Sequence, residues 1–143
     1  MKKIFALLAV AIAAVFTAKA DDKPVDYNRL PAAVHAFVSS YYPDVQVTLS
    51  TKDDDLLWPD YTVLLVNGVK LSFDNSGKFE KIYSADGVPS GLVPVQICDY
   101  VKARYPEASV VEYEVGRHGY EVKLSNRMEL KFNKNWVLVE IDD

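Results

Sequence analysis

From residue 61 to 73, and again from 120 to 132, apolar and polar positions alternate along the chain. Tyr61, Val63, Leu65, Asn67, Leu71 and Phe73 recur as Tyr120, Val122, Leu124, Asn126, Leu130 and Phe132, and Ile82 recurs as Ile141, at a constant offset of 59. The alternate positions Thr62, Leu64, Val66, Lys70 and Ser72 all differ from their counterparts. Successive side chains of a strand point to opposite faces. One face is therefore the same in both copies while the other is free to differ. The shared face is apolar and aromatic, which predicts that it faces the core.

A second block repeats upstream of each of these. Residues 30–47 match 93–110 at an offset of 63, with Pro31 on Pro94, Val38 on Val101, and Tyr42-Pro43 on Tyr105-Pro106. Val34, Phe37, Val38 and Tyr41 recur at three- and four-residue steps, as do Ile97, Tyr100, Val101 and Tyr105, which predicts a helix in each copy. Pro31 and Pro94 suit the first helical turn, and Pro43 and Pro106 stop the helices. Four strands are expected after each helix, near 45–51, 61–67, 69–74 and 79–84, then near 109–115, 119–126, 128–133 and 136–141. Asn67-Gly68 and Asp74-Asn75-Ser76-Gly77 read as turns. The segment from Ala85 to Gly91 reads as the linker. The fold class is α+β: two tandem repeats, about 27–86 and 90–143, each a helix plus a four-stranded antiparallel sheet, with both helices on one face.

The N-terminus has a different character. Lys2 and Lys3 precede an uncharged apolar run from Ile4 to Phe16, and Ala18-Lys19-Ala20 follows. This is the pattern of a secretory signal peptide over 1–20, with the run too short to span a membrane. Cleavage after Ala20 is expected to leave residues 21–143, with no membrane span. The whole chain carries 16 basic and 20 acidic residues, a net charge of −4. Loss of Lys2, Lys3 and Lys19 leaves 13 basic against 20 acidic, or −7. That balance argues against nucleic acid as a partner, which needs clustered cations. The expected compartment is periplasmic or extracellular.

The signal sequence, the paired helix-ending Tyr-Pro and the Tyr-x-Val-x-Leu…Leu-x-Phe strand pair together resemble the exported PepSY-like, β-lactamase-inhibitor-like proteins of Bacteroidetes. The resemblance covers about 27–143. It implies two αββββ units and a non-enzymatic role in the periplasm. The family's Asp-x-x-Gly turn stands at Asp74–Gly77, but in the second copy it has become Asn133-Lys134-Asn135-Trp136. Likeness to inhibitors is an analogy of fold and does not transfer activity.

Catalytic chemistry is hard to place. Cys98 is the single cysteine, which excludes a disulfide framework or thiolate zinc cluster. Its sequence neighbours offer no base to activate it, so an inert, partly buried thiol is expected. His35 and His118 cannot form a metal site alone. Asp53-Asp54-Asp55 lacks the alternating spacing and the glycine of a calcium loop, so a solvated turn is expected there. No catalytic residue, metal site or cofactor is assigned, and the protein reads as no enzyme.

What remains is an apolar surplus. The non-core face of the second copy's strand reads Glu121, Lys123, Ser125, whereas the first copy has Thr62, Leu64 and Val66. Four extra residues in the first copy fall near Leu56, Leu57 and Trp58. Leu56, Leu57, Trp58, Leu64 and Val66 are thus the candidate binding residues, with Trp58 as anchor. The competing explanation is a loop that folds over this face and buries its own apolar residues. The expected function is a non-catalytic binding module recognising an envelope protein or peptide, with inhibition as a narrower case. The alternative is a small-ligand or cation (calcium) binder using Asp53–Asp55 and Asp60.

Overall fold

The structure is a computed structural model and describes residues 22–53 and 60–143. Residues 1–20, read above as a signal peptide, lie outside the described residues. Nine strands form one sheet in which every strand pairs antiparallel with its neighbours in chain order. They are β1 (Asp22–Pro24), β2 (Val47–Asp53), β3 (Tyr61–Leu65), β4 (Lys70–Phe73), β5 (Phe79–Tyr83), β6 (Val110–Val115), β7 (Gly119–Leu124), β8 (Glu129–Asn133) and β9 (Leu138–Asp142). Helix α1 (Ala32–Tyr41) precedes β2, and helix α2 (Val95–Arg104) lies between β5 and β6. Despite the intervening helix, β5 and β6 pair through Lys81↔Glu114, Ile82↔Tyr113 and Tyr83↔Glu112. The two copies therefore share a single sheet. Strand β1 is too short for any periodicity to reveal it.

Both helices begin one residue later than their prolines suggest. Pro31 and Pro94 are caps with extended backbone, so the missing N–H falls just outside the helix. At the other end the Tyr42 N–H donates to the Val38 carbonyl (2.8 Å) and the Tyr105 N–H to that of Val101 (2.7 Å). The prolines that follow supply no N–H to continue the ladder.

Helix and strand residues meet in one core. It unites Val34 and Val38 of α1 and Ile97 and Val101 of α2 with Val63, Leu65, Leu71, Phe73, Ile82, Val122, Leu124, Leu130 and Phe132. Every strand residue among these belongs to the repeated face. Equivalent packing recurs too. Phe37 meets Phe73 edge-on at 5.4 Å, and Tyr100 meets Phe132 edge-on at 5.6 Å.

The repeat also extends to the turns. Asn67 and Asn126 do not serve the core: their Oδ1 atoms accept the Val69 and Met128 N–H groups (3.1 and 3.0 Å) and brace the hairpins. Asp74 Oδ1 accepts from Ser76 Oγ and from the N–H groups of Ser76 and Lys78. Asn133 does the same work for Asn135 and Val137. In these turns Gly77 (φ +90) is replaced by Trp136, which adopts the left-handed conformation (φ 60). An L-residue there costs of order 1–2 kcal/mol, yet the turn is retained. Gly77 has a second constraint, because an added Cβ would lie 2.9 Å from Pro31 Cβ at the start of α1. Gly77→Ala is expected to cost about 1–3 kcal/mol from strain and overpacking. Urea melts showing less than about 0.5 kcal/mol of loss would contradict this tight helix–turn contact.

Candidate functional site

Opposite the core-facing residues, the second face of the sheet is built from cross-strand rows. In the first half, one row runs Thr51, Thr62, Ser72 and the next runs Leu49, Leu64, Lys70. The second half continues both rows with charge. Lys81, Glu114, Glu121, Lys131 and Glu140 extend the first, and Tyr83, Glu112, Lys123, Glu129 and Asp142 extend the second. Ion pairs lace this half together: Lys81–Glu112 at 3.5 Å, Lys123–Glu129 at 3.6 Å and Lys131–Glu140 at 2.9 Å. One sheet face thus changes from rows in which Lys70 is the one charge to rows laced by ion pairs along its length.

Leu64 sits in the less charged half, half-buried, between Leu49 and Lys70. Val66 follows β3, is 66% exposed, and donates its N–H to the Gln46 carbonyl at 2.8 Å. Their counterparts are satisfied polar groups: Lys123 pairs with Glu129, and Ser125 Oγ accepts the Ser109 N–H at 3.0 Å. Leu56, Leu57 and Trp58 lie outside the described residues, as do Asp54 and Asp55. The 54–59 segment is flanked by a backbone bond in which the Asp53 N–H donates to the Asp60 carbonyl at 3.0 Å. Asp53 is buried as the last residue of β2, which corrects its placement in a solvated turn. Asp53 and Thr51 are buried on either side of the partly exposed Lys52, a pattern that the two aspartates that follow obscure in the sequence.

The residues considered for catalysis stay apart from this face. Cys98 is half-buried on α2, with Sγ 3.7 Å from the Val93 carbonyl oxygen. Burial pushes its thiol up, Lys102 pulls it down less strongly and Asp99 adds to the rise. That is the reverse of an activated thiolate. The His35 ring meets Tyr27 edge-on at 4.4 Å, and His118 is exposed in the β6–β7 turn. Burial likewise raises Tyr113, to about 12, helped by Tyr120 and Cys98. Among the described residues no three His, Cys, Asp or Glu side chains are grouped so as to hold a metal ion.

Two carboxyls are perturbed. Glu121 is raised by burial first, with Lys131 opposing and Glu114 and Glu129 adding to it. Glu80 is raised by burial, then by the charges of Asp60 and Asp74. A carboxyl raised above its unfolded value contributes most stability below that unfolded value, and the contribution is lost as pH rises through the folded value. Asp74 works the other way: burial alone would raise it, but hydrogen bonds from Ser76 and Lys78 hold it below its ordinary value. Its contribution is lost only on acidification past the carboxylate range. Melting temperature should therefore rise as pH falls from neutrality toward the ordinary glutamate value of about 4.3. Glu80→Gln combined with Glu121→Gln should flatten that slope. A melting temperature falling steadily over this interval would contradict the assignment.

Comparison with known proteins places these features. The pattern of the family described as "Putative beta-lactamase-inhibitor-like, PepSY-like" matches residues 16–81 and again 59–140. The chain belongs to this PepSY-like family. Three solved structures from Bacteroides are similar to the PepSY-like chain. A "putative calcium-regulated periplasmic protein" from Bacteroides thetaiotaomicron has 37% identity and a TM-score of 0.82, covering 86% of this chain and 98% of its own. A periplasmic protein from Bacteroides vulgatus has 36% identity and a TM-score of 0.81, with the same coverage. Another from that species, described as of unknown function, has 30% identity and a TM-score of 0.80, covering 85% and 99%. No curated protein matches the chain. All three structures are described as periplasmic, in agreement with the compartment expected for this PepSY-like protein. Among the described residues no helix is long and apolar enough to cross a membrane.

Proposed function

We propose that this PepSY-like protein is a non-catalytic binding module of the cell envelope, exported by cleavage of residues 1–20. In this reading each helix and the four strands after it form one repeat, and both helices cover the face bearing the repeated residues. The other face is left to recognise a protein or peptide through Leu64, Val66 and the Leu56-Leu57-Trp58 segment. The observation that carries this is the asymmetry of the second face. Identical backbone registers carry Leu64 and exposed Val66 in one copy and ion-paired Lys123 and hydrogen-bonded Ser125 in the other. Contiguous exposed apolar patches mark interaction surfaces, and Leu64 and Val66 would make one together with the 56–58 segment. Enzyme inhibition is a narrower version, supported by the family description alone. Retention of envelope proteins by the immobilised natural chain, compared with Trp58→Ala, tests the reading. Equal retention by both would remove Trp58 as anchor.

A second reading is cation binding around Asp53–Asp55 and Asp60. It is favoured by one observation: the 37% identical structure is described as calcium-regulated. Hard cations take carboxylate and carbonyl oxygens, and Asp53 and Asp60 flank the segment that carries the other two aspartates. A ligand that binds only the folded state raises the melting temperature. Under this reading millimolar calcium raises it and Asp54→Asn with Asp55→Asn removes the rise; no rise rejects the reading.

A further inference from the structure

Strand β9 is a register copy of β5 that, among the described residues, is paired on one side alone. In β4–β5 the pairs are Phe73↔Phe79, Ser72↔Lys81 and Leu71↔Ile82, with a shift after Ser72. In β8–β9 they are Phe132↔Leu138, Lys131↔Glu140 and Leu130↔Ile141, with the equivalent shift. Strand β5 is covered by β6, but among the described residues β9 pairs only with β8. The consequence is visible in one repeated residue: Ile82 is fully buried, whereas Ile141 is 42% exposed. Val137 and Val139 are more exposed still, at 56% and 63%, and Trp136 adjoins them.

An open edge presents unpaired backbone N–H and C=O groups, and folded proteins usually blunt it. The opposite edge is blunted: β1 has three residues and ends on Pro24, which has no N–H to offer. Strand β9 has five residues with neither proline nor lysine. Its polar residues Glu140 and Asp142 occupy the places of Lys81 and Tyr83 in β5. Lys131 already pairs with Glu140, but Asp142 lies opposite another carboxylate, Glu129.

The β5–β6 pair supplies the template for what would fit. There Tyr113 lies opposite Ile82, flanked by Glu114 opposite Lys81 and Glu112 opposite Tyr83. Transferred to β9, the residue facing Ile141 takes the place of Tyr113 and its neighbours face Glu140 and Asp142. We propose that the β9 edge is a second binding surface that accepts an extended peptide strand, antiparallel, with an aromatic residue between two basic ones. Strand addition of this kind draws affinity from main-chain hydrogen bonds and selectivity from alternate side chains. A second copy of this chain is a poor occupant, because pairing β9 with itself about Ile141 sets Glu140 against Asp142.

The test uses a nine-residue peptide centred on Lys-Tyr-Lys, its Glu-Tyr-Glu counterpart, and the basic peptide N-methylated at alternate residues. The readout is NMR titration of the full mature chain. The basic peptide should perturb residues 136–143 and slow amide exchange in β9, with the acidic one at least tenfold weaker. N-methylation should abolish binding, and Glu140→Lys with Asp142→Lys should reverse the preference between the two peptides. If that double variant does not fold, Asp142→Lys alone must still weaken the basic peptide. Absence of β9 shifts, equal binding of the N-methylated peptide, insensitivity to charge reversal, or β9-mediated dimers of the natural chain in sedimentation would each overturn the proposal. Changes at Leu64 and Val66 should leave the peptide titration unaltered, which separates this surface from the one proposed above.

Discussion

Truncation of Leu65 or Leu124 to alanine is expected to cost about 2–5 kcal/mol in each case, because each removes a buried side chain and leaves a cavity. The two leucines hold the same place in the two repeats, and both are only 1% exposed. Each pairs on its strand with neighbours of the shared core rather than a core of its own. Similar losses from the two variants, in a single cooperative transition, would follow from that shared core. Lys123→Ala is the control. It sits one residue from Leu124 on the other face and loses only a partly exposed ion pair to Glu129, worth about 0–1 kcal/mol. Guanidinium melts showing equal destabilisation by Lys123→Ala and Leu124→Ala would mean that the strand faces are reversed. Two separated transitions would mean that the repeats unfold independently.

Much of this arrangement is legible in the sequence because a strand writes its environment with a period of two. The identities at Val63, Leu65, Leu71 and Phe73 are the residues that lie fully or almost fully buried, and the matched helices follow from three- and four-residue spacing. Ile141 shows where such reasoning stops. It is identical to Ile82, but burial depends on what lies beyond the strand, and among the described residues a further strand lies beyond Ile82 alone. The repeated asparagines show another limit: Asn67 and Asn126 sit in the alternating pattern but brace turns instead of filling the core. Strand β1 has three residues and no internal period. The rows of charge across the second half arise from the successive pairing of β5 with β6, β6 with β7, β7 with β8 and β8 with β9, so no single segment of sequence displays them. Of the candidate site, Leu64 and Val66 were detectable only by comparison with the sister copy. Leu49, Leu64's cross-strand neighbour, comes from a strand whose register is shifted by a bulge.

Replacing Leu64 by Glu and Val66 by Ser is expected to abolish partner recognition while leaving the fold intact. Buried apolar anchors commonly contribute more than 2 kcal/mol to an interface, and about 1.4 kcal/mol already corresponds to a tenfold change in affinity. Glutamate is preferable to the lysine of the sister copy, because Leu64 lies opposite Lys70 and a second cation there would repel it. Ser125 in the sister copy shows that the same register accommodates serine. Retention of envelope proteins should fall more than tenfold, and the Leu65→Ala variant, destabilised but folded, should retain them.

The thermal melting curve of Leu64→Glu/Val66→Ser bears most directly on whether this face is open to a partner. An open face predicts a midpoint within about 3 °C of the natural chain, since a loss below 1 kcal/mol shifts a domain of this size by only a few degrees. A fall of more than about 10 °C would show that the chain itself covers Leu64 and Val66, and would contradict the recognition surface.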